Sequence, residues 1–363
     1  MAGEAGDGVV VRNKQVLLKN FMVGSAKESD MELRESTISL KLPPGTEGAI
    51  LVKNLYLSCD PYMRGRMREY YESYIPPFQP GKAASSKSSS SVTSPPIEGF
   101  GVSKVIDSTN QKFGVGDYIT GLTGWEEYSI ITRTEQLRKV ESLDIPLSYH
   151  VGLLGMPGFT AYVGFYEICS PKKGDCVFIS AASGAVGQLV GQLAKLHGCF
   201  VVGSAGSADK IELLKHKLGY DEAFNYKEEP DLVAALKRYF PNGIDIYFDN
   251  VGGEMLDAAL VNMKVHGRIA VCGMVSQSAV SYPKGITNLY MLVTKRLTMK
   301  GFIQSDYLHL FPQFLEAISN LYKQGKIVYI EDMNEGLENG PAAFIGLFSG
   351  KNIGKQVVHV ADE

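Results

Sequence analysis

Residues 176–191 read Cys-Val-Phe-Ile-Ser-Ala-Ala-Ser-Gly-Ala-Val-Gly-Gln-Leu-Val-Gly. The first part, Val177–Ser180, is rich in residues that favour strands, and small residues separate it from a helix pattern over Ala185–Leu196. A strand, a tight turn and a helix N-terminus bring unpaired backbone N–H groups and the positive end of a helix dipole together. The stretch therefore predicts a turn that binds an anion such as a pyrophosphate.

The dinucleotide fingerprint G-x-G-x-x-G fits this turn with Ala182 at its first position, followed by Gly184 and Gly187. We expect Gly184 to let the backbone approach the phosphates and Gly187 to let the helix pack close to the strand. Glycine-rich turns are common, so the pattern alone is weak. The next apolar run, Phe200–Gly203, supports it because it has the place of a second parallel strand.

The residues after that second strand indicate which dinucleotide binds. A site for NAD places Asp or Glu at the end of the strand, where the carboxylate holds the ribose 2′-hydroxyl. Here the strand is followed by small residues, and Lys210 lies one helical turn further on. This favours the 2′-phosphate of NADP. The alternative is that Lys210 is an ordinary solvated lysine, and the neighbouring Asp209 also weighs against a phosphate site.

Composition limits the function classes. A chain of 363 residues suits two domains, and a net charge of −3 gives no reason to expect nucleic acid or an anionic membrane as a partner. No apolar run reaches the roughly 20 residues that span a bilayer, and the first residues do not form a signal-peptide pattern. The five scattered cysteines fit reduced thiols in a cytoplasmic protein.

The chain changes its pattern near Pro146. Before it, short strands such as Glu47–Tyr56 and Gly99–Asp107 predict a β-rich, barrel-like domain. The serine-rich stretch 83–94 is interpreted as a surface loop, with phosphorylation as the less favoured alternative. After Pro146, strands and helices alternate as in a doubly wound parallel sheet, and the final strand pattern, Gly354–Val360, is expected to return to the first domain.

This arrangement resembles the medium-chain dehydrogenase/reductase superfamily over nearly the whole chain. Zinc-dependent members carry a Gly-His-Glu motif and a lobe of four cysteines that binds a structural metal. The matching place here holds Gly99-Phe-Gly101, with Glu98 but no histidine beside it, and the cysteines form no closely spaced cluster. We therefore expect no metal.

The chain more closely resembles the zinc-free plant double-bond reductases, also called 2-alkenal reductases, and the related mammalian prostaglandin reductases. The motifs that carry this resemblance occur in one order: Cys59-Asp-Pro-Tyr-Met-Arg64, Ser73-Tyr-Ile-Pro-Pro-Phe-Gln-Pro-Gly81, Thr123-Gly-Trp-Glu-Glu-Tyr128, Gly155-Met-Pro-Gly-Phe-Thr-Ala-Tyr162, the turn Ala181–Gly187, Phe224-Asn-Tyr-Lys227, Asp249-Asn-Val-Gly-Gly253, His266-Gly-Arg-Ile-Ala-Val-Cys-Gly-Met274 and Lys351-Asn-Ile-Gly354.

The resemblance implies a Rossmann doubly wound parallel sheet over residues 146–317, inserted in a β-rich GroES-like catalytic domain formed by 1–145 and 318–363. It implies NADPH as the cofactor, a cytoplasmic location and a homodimer. Lys210 and Tyr226 would contact the 2′-phosphate end, Asn250 would lie against the cofactor, and Cys272 would line its nicotinamide half without reacting. The implied cofactor-binding residues are Ala182, Ser183, Gly184, Ala185, Val186, Gly187, Gly206, Lys210, Tyr226, Asn250, Cys272, Gly273, Ser276, Ser278, Phe302, Ile303, Gln304 and Asn352.

Tyr62 and Tyr74 are the candidate catalytic residues. Both lie in irregular, proline-containing segments, and a phenol can donate a hydrogen bond to a carbonyl oxygen on which charge develops. The alternative for either tyrosine is packing, and for Asn250 it is a role in forming the turn. One position departs from the family pattern, because Ser278 stands where relatives often have a tyrosine near the nicotinamide. Tyr282 follows at a different spacing.

The expected reaction is NADPH-dependent reduction of a carbon–carbon double bond conjugated to an aldehyde or ketone, by hydride transfer to the β-carbon. The substrates implied are alkenals and enones, with phenylpropenals as a further class. A zinc-free quinone oxidoreductase is the first alternative, and a non-catalytic NADPH-binding sensor of redox state is the second.

Overall fold

The computed structural model describes residues 8–81, 94–141, 143–278 and 284–363, so most of the serine-rich stretch and Tyr282 lie outside the described residues. The chain forms two compact units. Unit 1 comprises Met1–Val151, Met333–Leu347 and Gln356–Glu363, and unit 2 comprises Gly152–Asp332 and Phe348–Lys355. Residues 318–332 thus belong by their contacts to unit 2, whereas the sequence analysis assigned them to the first domain.

Unit 1 is rich in antiparallel strands. Its elements are β1 (Val10–Leu18), β2 (Met31–Ser39), β3 (Ile50–Ser58), α1 (Tyr62–Arg66), β4 (Glu98–Ser108), β5 (Tyr118–Gly124), β6 (Tyr128–Ile131), β7 (Arg138–Lys139), and, late in the chain, β14 (Glu331–Glu335), α10 (Gly340–Gly346) and β15 (Lys355–His359). β1 pairs with β2, and the larger sheet has the order β14-β15-β3-β4-β5-β7 with β6 on β3. β15 pairs with β3 through Val357 and Ser58, which confirms the expected return of the last strand.

Unit 2 alternates strands and helices. Its elements are α2 (Met156–Val163), β8 (Cys176–Ile179), α3 (Gly187–Leu196), β9 (Phe200–Ala205), α4 (Ala208–Glu212), β10 (Glu222–Asn225), α5 (Leu232–Tyr239), β11 (Ile244–Asp249), α6 (Gly253–Asn262), β12 (Met263–Val271), α7 (Val275–Ser278), α8 (Met291–Thr294), β13 (Thr298–Gly301) and α9 (Phe311–Lys323). α4 continues as a π-helical turn over Leu213–Lys217.

The six strands β8–β13 form one parallel sheet in the order β10-β9-β8-β11-β12-β13. This order reverses beside β8, as in the doubly wound sheet that the sequence predicts. Apolar side chains pack against the faces of the sheet. For example, the rings of Phe178 and Tyr247 stack with their centroids 4.9 Å apart, and both residues are fully buried. Among the described residues, no helix is long and apolar enough to span a bilayer.

Candidate active site

The carboxyl ends of the parallel strands lie side by side at one edge of the sheet in unit 2. The last residue of β8, Ile179, pairs with Gly203 of β9. The last residue of β11, Asp249, pairs with Val271 of β12, and Val271 in turn pairs with Gly301 of β13. Ligands bind beyond this edge in sheets of this kind. The segments that leave these strand ends contain most of the predicted cofactor residues: Ala182–Gly187, Gly206, Tyr226, Asn250, Cys272, Gly273, Phe302, Ile303 and Gln304.

The turn after β8 is tight and closed by backbone hydrogen bonds. Gly184 donates to the Ala181 carbonyl oxygen at 3.0 Å, and Ala182 donates to the Ser204 carbonyl oxygen of β9 at 3.0 Å. The residue with left-handed backbone is Ala181, at φ +47°, one position before the Ala182 of the fingerprint. α3 begins at Gly187, later than the predicted start at Ala185. The turn is therefore longer than its sequence pattern suggested.

Two glycines of the turn differ in how much room they leave. A Cβ atom on Gly187 would lie 2.7 Å from the Ala181 carbonyl oxygen and 2.7 Å from the Ala182 Cα atom. A Cβ atom on Gly184 would lie 3.3 Å from the same Ala181 oxygen and near no other described atom. The lack of a side chain at Gly187 thus lets α3 pack directly on the turn. At Gly184 it leaves the backbone of the turn uncovered.

Two backbone amides at the start of α3 are unpaired. No described residue accepts a hydrogen bond from the N–H groups of Val186 and Gly187, whereas the parallel bridge between Gly184 and Gly354 directs the Ala185 N–H at the Gly354 carbonyl oxygen. Buried or half-buried amides require acceptors, and the positive end of a helix dipole favours an anion as that acceptor. The amides and the bare glycine surface fit the pyrophosphate of a dinucleotide.

Lys210 lies beyond the end of β9, on α4, and is only 7% exposed. Its ammonium group donates to the Gly350 carbonyl oxygen at 2.7 Å and forms no ion pair with a described carboxylate. Burial lowers the pKa of Lys210, the nearby Lys227 ammonium lowers it further, and Asp332 opposes them. A cation held in this way is suited to bind an anionic group, as the 2′-phosphate hypothesis requires.

Tyr226 and Gly206 lie together beside Lys210. A Cβ atom on Gly206 would lie 3.2 Å from the Tyr226 ring and 3.1 Å from Cε of Lys227. Tyr226 is 43% exposed and donates its backbone N–H to the Ala205 carbonyl oxygen. Lys227 was not predicted as a site residue. Its place in the Phe224-Asn-Tyr-Lys227 motif, next to Tyr226, could have indicated it.

Asn250 and Gly273 lie at the ends of β11 and β12. The Asn250 side-chain amide donates to the Ser180 carbonyl oxygen at 2.8 Å, which joins it to the end of β8. Gly273 donates to the Asp249 carbonyl oxygen, and a Cβ atom on it would lie 3.3 Å from the Asn250 oxygen. Ser276 donates its hydroxyl to the Val251 carbonyl oxygen at 2.6 Å. These contacts bring Asn250, Gly273 and Ser276 into one group.

Cys272 and Phe302 leave neighbouring strands, β12 and β13. Burial raises the pKa of the Cys272 thiol to about 12, so a reactive thiolate is disfavoured. Phe302 packs edge-on against Phe248 at 6.4 Å, next to the end of β11. Ile303 and Gln304 follow Phe302 at the start of a 3-10 helix.

Ser278 is the last residue of α7, and residues 279–283 after it, including Tyr282, are outside the described part of the chain.

A buried polar network under this group was missed by sequence reasoning. Asp249 is fully buried, and its Oδ1 accepts hydrogen bonds from the Tyr247 hydroxyl at 2.6 Å and from the Val251 and Gly252 amides. Burial raises the pKa of Asp249, and these hydrogen bonds oppose the rise. The network fixes the turn that carries Asn250. Its signal was available, because Asp249 ends the apolar run Ile246–Phe248 and opens the motif Asp249–Gly253.

Asn352 reaches the turn after β8 from the far end of the chain. Gly354 donates to the Ser183 carbonyl oxygen at 3.1 Å, and Asn352 donates its side-chain amide to the Gly354 carbonyl oxygen at 2.8 Å. Ile353 donates to Oδ2 of Asp332 at 3.0 Å. The segment 350–354 therefore lies against the phosphate-binding turn. The family resemblance instead placed Asn352 over the nicotinamide side of the cofactor, and that role stays a prediction.

In unit 1, Tyr62 is the first residue of α1. Its hydroxyl is buried and has no hydrogen-bond partner among the described residues, while its ring packs edge-on against Phe100 at 6.3 Å. Burial raises the pKa of the phenol far above its usual value, and Asp60 raises it further. A buried donor without an acceptor costs about 1–3 kcal/mol and calls for an explanation. A substrate oxygen that accepts this hydrogen bond would supply one.

Arg66 holds the surroundings of Tyr62 and was not predicted. Its side chain is 4% exposed; Nε donates to the Pro76 carbonyl oxygen at 2.9 Å and Nη2 to Oε1 of Glu98 at 2.6 Å. The guanidinium also lies over the Phe78 ring at 4.1 Å. Arg66 thus ties α1 to the segment that follows Tyr74 and to β4.

Tyr74 differs from Tyr62 in its environment. It is 65% exposed, and its phenol is one of the smaller electrostatic causes that raise the pKa of Tyr62. An exposed phenol is hydrogen-bonded to water and gives a weaker preorganised donor than a buried one. The geometry therefore favours Tyr62 over Tyr74 for a catalytic role.

Across residues 8–81, 94–141, 143–278 and 284–363, no group of three or more His, Cys, Asp or Glu side chains could hold a metal ion. The expectation that the protein works without a metal stays a prediction. Elemental analysis of protein purified without added metal tests it.

Comparisons with known proteins agree with this geometry. The model of the zinc-binding dehydrogenase family matches residues 185–320, and that of the N-terminal domain of oxidoreductases matches residues 14–140. The NADP(+)-dependent 2-alkenal reductase of Nicotiana tabacum is 61% identical over 353 residues, which cover 97% of this chain and 99% of the relative. The chain belongs to the medium-chain dehydrogenase/reductase family.

Two further relatives support this membership. The (+)-pulegone reductase of Mentha piperita is 54% identical over 98% of this chain and 100% of its own length. The crystal structure of CurA from Vibrio vulnificus in complex with NADPH superposes with a TM-score of 0.86 at 38% identity, covering 96% of this chain and 100% of that one. The Rossmann sheet and the β-rich domain expected from the sequence are the architecture of this family.

Proposed function

We propose that this chain is an NADPH-dependent reductase of carbon–carbon double bonds conjugated to an aldehyde or ketone. The observation that carries the proposal is the 61% identity, over nearly the whole of both chains, to a relative named as an NADP(+)-dependent 2-alkenal reductase. The geometry of unit 2 agrees with the cofactor, because it offers unpaired amides for a pyrophosphate and a buried ammonium for a 2′-phosphate.

The residues that would hold NADPH divide into three groups. The turn Ala182–Gly187 binds the pyrophosphate, Gly206, Lys210 and Tyr226 bind the 2′-phosphate end, and Asn250 with a further set of residues binds the nicotinamide half. This further set, as the family resemblance implies it, is Cys272, Gly273, Ser276, Ser278, Phe302, Ile303, Gln304 and Asn352. When bound, the reduced nicotinamide supplies a hydride to the β-carbon of the substrate.

Tyr62 stabilises the charge that this addition moves to the carbonyl oxygen. Its buried hydroxyl keeps its proton because burial raises the pKa, so it is a hydrogen-bond donor at neutral pH. The enolate then takes a proton at the α-carbon from water. Tyr74, which is exposed, serves to bind substrate and does not replace Tyr62. The reaction needs neither a strong base nor a metal.

We further propose that the protein is a cytoplasmic homodimer. The resemblance to the double-bond reductases supports these two statements. Analytical ultracentrifugation of the purified protein tests the homodimer, since a single species with the mass of one chain would contradict it.

A panel of acceptors tests the proposed function. Purified protein and NADPH are mixed with an alkenal, an enone, a quinone or a saturated aldehyde, and NADPH oxidation is followed by absorbance with identification of each product. We expect oxidation with the alkenal and the enone, yielding the saturated carbonyl compound. Oxidation with the quinone alone would instead support the quinone oxidoreductase, and binding of NADPH without oxidation by any acceptor would support the redox sensor.

A further inference from the structure

The ammonium group of Lys210 is joined to a segment distant in the chain. It donates to the carbonyl oxygen of Gly350 at 2.7 Å. Gly350 has left-handed backbone, at φ +64°, so the direction of its carbonyl depends on a conformation that other residues rarely adopt. The position of Lys210 therefore depends on the backbone of the segment 350–354.

That segment is anchored on two sides of the cofactor site. The Ile353 amide donates to Oδ2 of Asp332 at 3.0 Å, and the Gly354 amide donates to the Ser183 carbonyl oxygen in the phosphate-binding turn at 3.1 Å. Within the segment, the Asn352 side-chain amide donates to the Gly354 carbonyl oxygen at 2.8 Å. One short segment thus contacts Lys210 at its start and the pyrophosphate turn at its end.

We propose that the Gly350 carbonyl is a specificity-determining group that holds Lys210 ready for the 2′-phosphate and couples this phosphate to the segment 350–354. An ammonium has three N–H donors, so Gly350 uses one and leaves two for phosphate oxygens. A lysine already held in place loses less side-chain freedom on binding than a solvated one. Gly350 acts through Lys210 and is a positioning residue. The proposal rests on the NADPH site described above.

Gly350→Ala tests the positioning with a matched control. A Cβ atom on Gly350 would lie 3.9 Å from Lys210 Nζ and clash with nothing, so the substitution acts through the backbone alone. Gly325→Ala is the control, because Gly325 has φ +66° and a Cβ atom there would meet no atom within 4 Å. We expect Gly350→Ala to weaken NADPH binding by about fivefold or more with NADH binding unchanged, and Gly325→Ala to alter neither dissociation constant.

A double-mutant cycle shows whether Gly350 acts through Lys210. In the Lys210→Ala background, Gly350→Ala should cause no further loss of NADPH affinity, because the group that it positions is gone. An equal loss in both backgrounds would contradict the positioning role. So would an unchanged NADPH-to-NADH ratio in Gly350→Ala, or the same change in Gly325→Ala.

Hydrogen exchange of the unmutated protein tests the coupling without any substitution. With each cofactor at saturation, NADPH should slow exchange of the Ile353 and Gly354 amides more than NADH does, because only NADPH engages Lys210 through a 2′-phosphate. Equal protection by the two cofactors would overturn the coupling. If the unmutated protein binds NADPH and NADH equally, the NADPH assignment itself is wrong, so the two failures are distinguishable.

Discussion

The candidate cofactor site in unit 2 and the candidate tyrosine site in unit 1 differ in the groups that form them. The cofactor site around α3 consists of backbone: two unpaired amides, glycines without side chains and carbonyl groups that fix lysine and asparagine side chains. The tyrosine site around Tyr62 consists of side chains on a short helix and an irregular segment that Arg66 holds together. Backbone geometry follows from glycine spacing, whereas the burial of one tyrosine follows from the packing of distant segments.

Among the substitutions that test the two sites, we expect the largest effect from the loss of the Tyr62 hydroxyl. Tyr62→Phe should lower kcat/KM by about ten- to a thousandfold, because it removes a single buried donor to developing charge. Steady-state kinetics with an alkenal gives this ratio, and NADPH affinity should stay unchanged. Tyr74→Phe is the control and should lower kcat/KM far less, since Tyr74 is exposed. Equal losses in both variants would remove the distinction between the two tyrosines.

At the cofactor site, Lys210→Ala should weaken NADPH binding by about tenfold or more. A lost charge-assisted contact is worth roughly 1.5–3 kcal/mol. Isothermal titration with NADPH and NADH measures the effect, and NADH binding should change little. Lys227→Ala provides the comparison: its side chain is exposed and should matter less. A larger loss from Lys227→Ala would assign the phosphate to Lys227.

The backbone part of the site can be tested through its two glycines. Gly187→Ala should lower the free energy of unfolding by about 1–3 kcal/mol, because the new Cβ would overlap the turn at 2.7 Å. Gly184→Ala should be milder in stability, since its nearest described atom is at 3.3 Å. Urea unfolding of both variants gives the difference, and equal stability would mean that the turn relaxes easily.

The smallest effect is expected at Ala181. An alanine at φ +47° is strained by roughly 1 kcal/mol or more, and glycine removes this strain while adding freedom to the unfolded chain. Ala181→Gly should therefore raise the free energy of unfolding by about 1 kcal/mol or less. A decrease on urea unfolding would show that the left-handed conformation is not costly here.

Sequence predicted the cofactor site better than the tyrosine site for a physical reason. Parallel strands end at a common edge, so Asn250, which follows β11, could be placed there from the strand pattern, whereas Cys272 and Phe302 were placed by the family resemblance. The left-handed residue was not predicted, because the glycine rule points away from Ala181. Asp249 stands at a recognisable strand end, but its full burial follows from the packing of neighbouring strands, and that burial makes its hydrogen bonds with Tyr247, Val251 and Gly252 a buried network.

At the tyrosine site, the sequence offered Tyr62 and Tyr74 on nearly equal terms. Only the packing of α1 separates them, by burying the hydroxyl of Tyr62 and leaving Tyr74 65% exposed. Arg66 could not be recognised in sequence, because its partners Pro76 and Glu98 lie in other segments. The role of Ser278 and Tyr282 stays a prediction.

The central claim is that hydride reaches the β-carbon of a conjugated carbonyl compound. The direct measurement uses NADPH deuterated at nicotinamide C4, an alkenal as acceptor, and NMR of the product. We predict a saturated aldehyde that carries deuterium on its β-carbon and a solvent-derived proton on its α-carbon. An allylic alcohol with deuterium on the former carbonyl carbon would contradict the account.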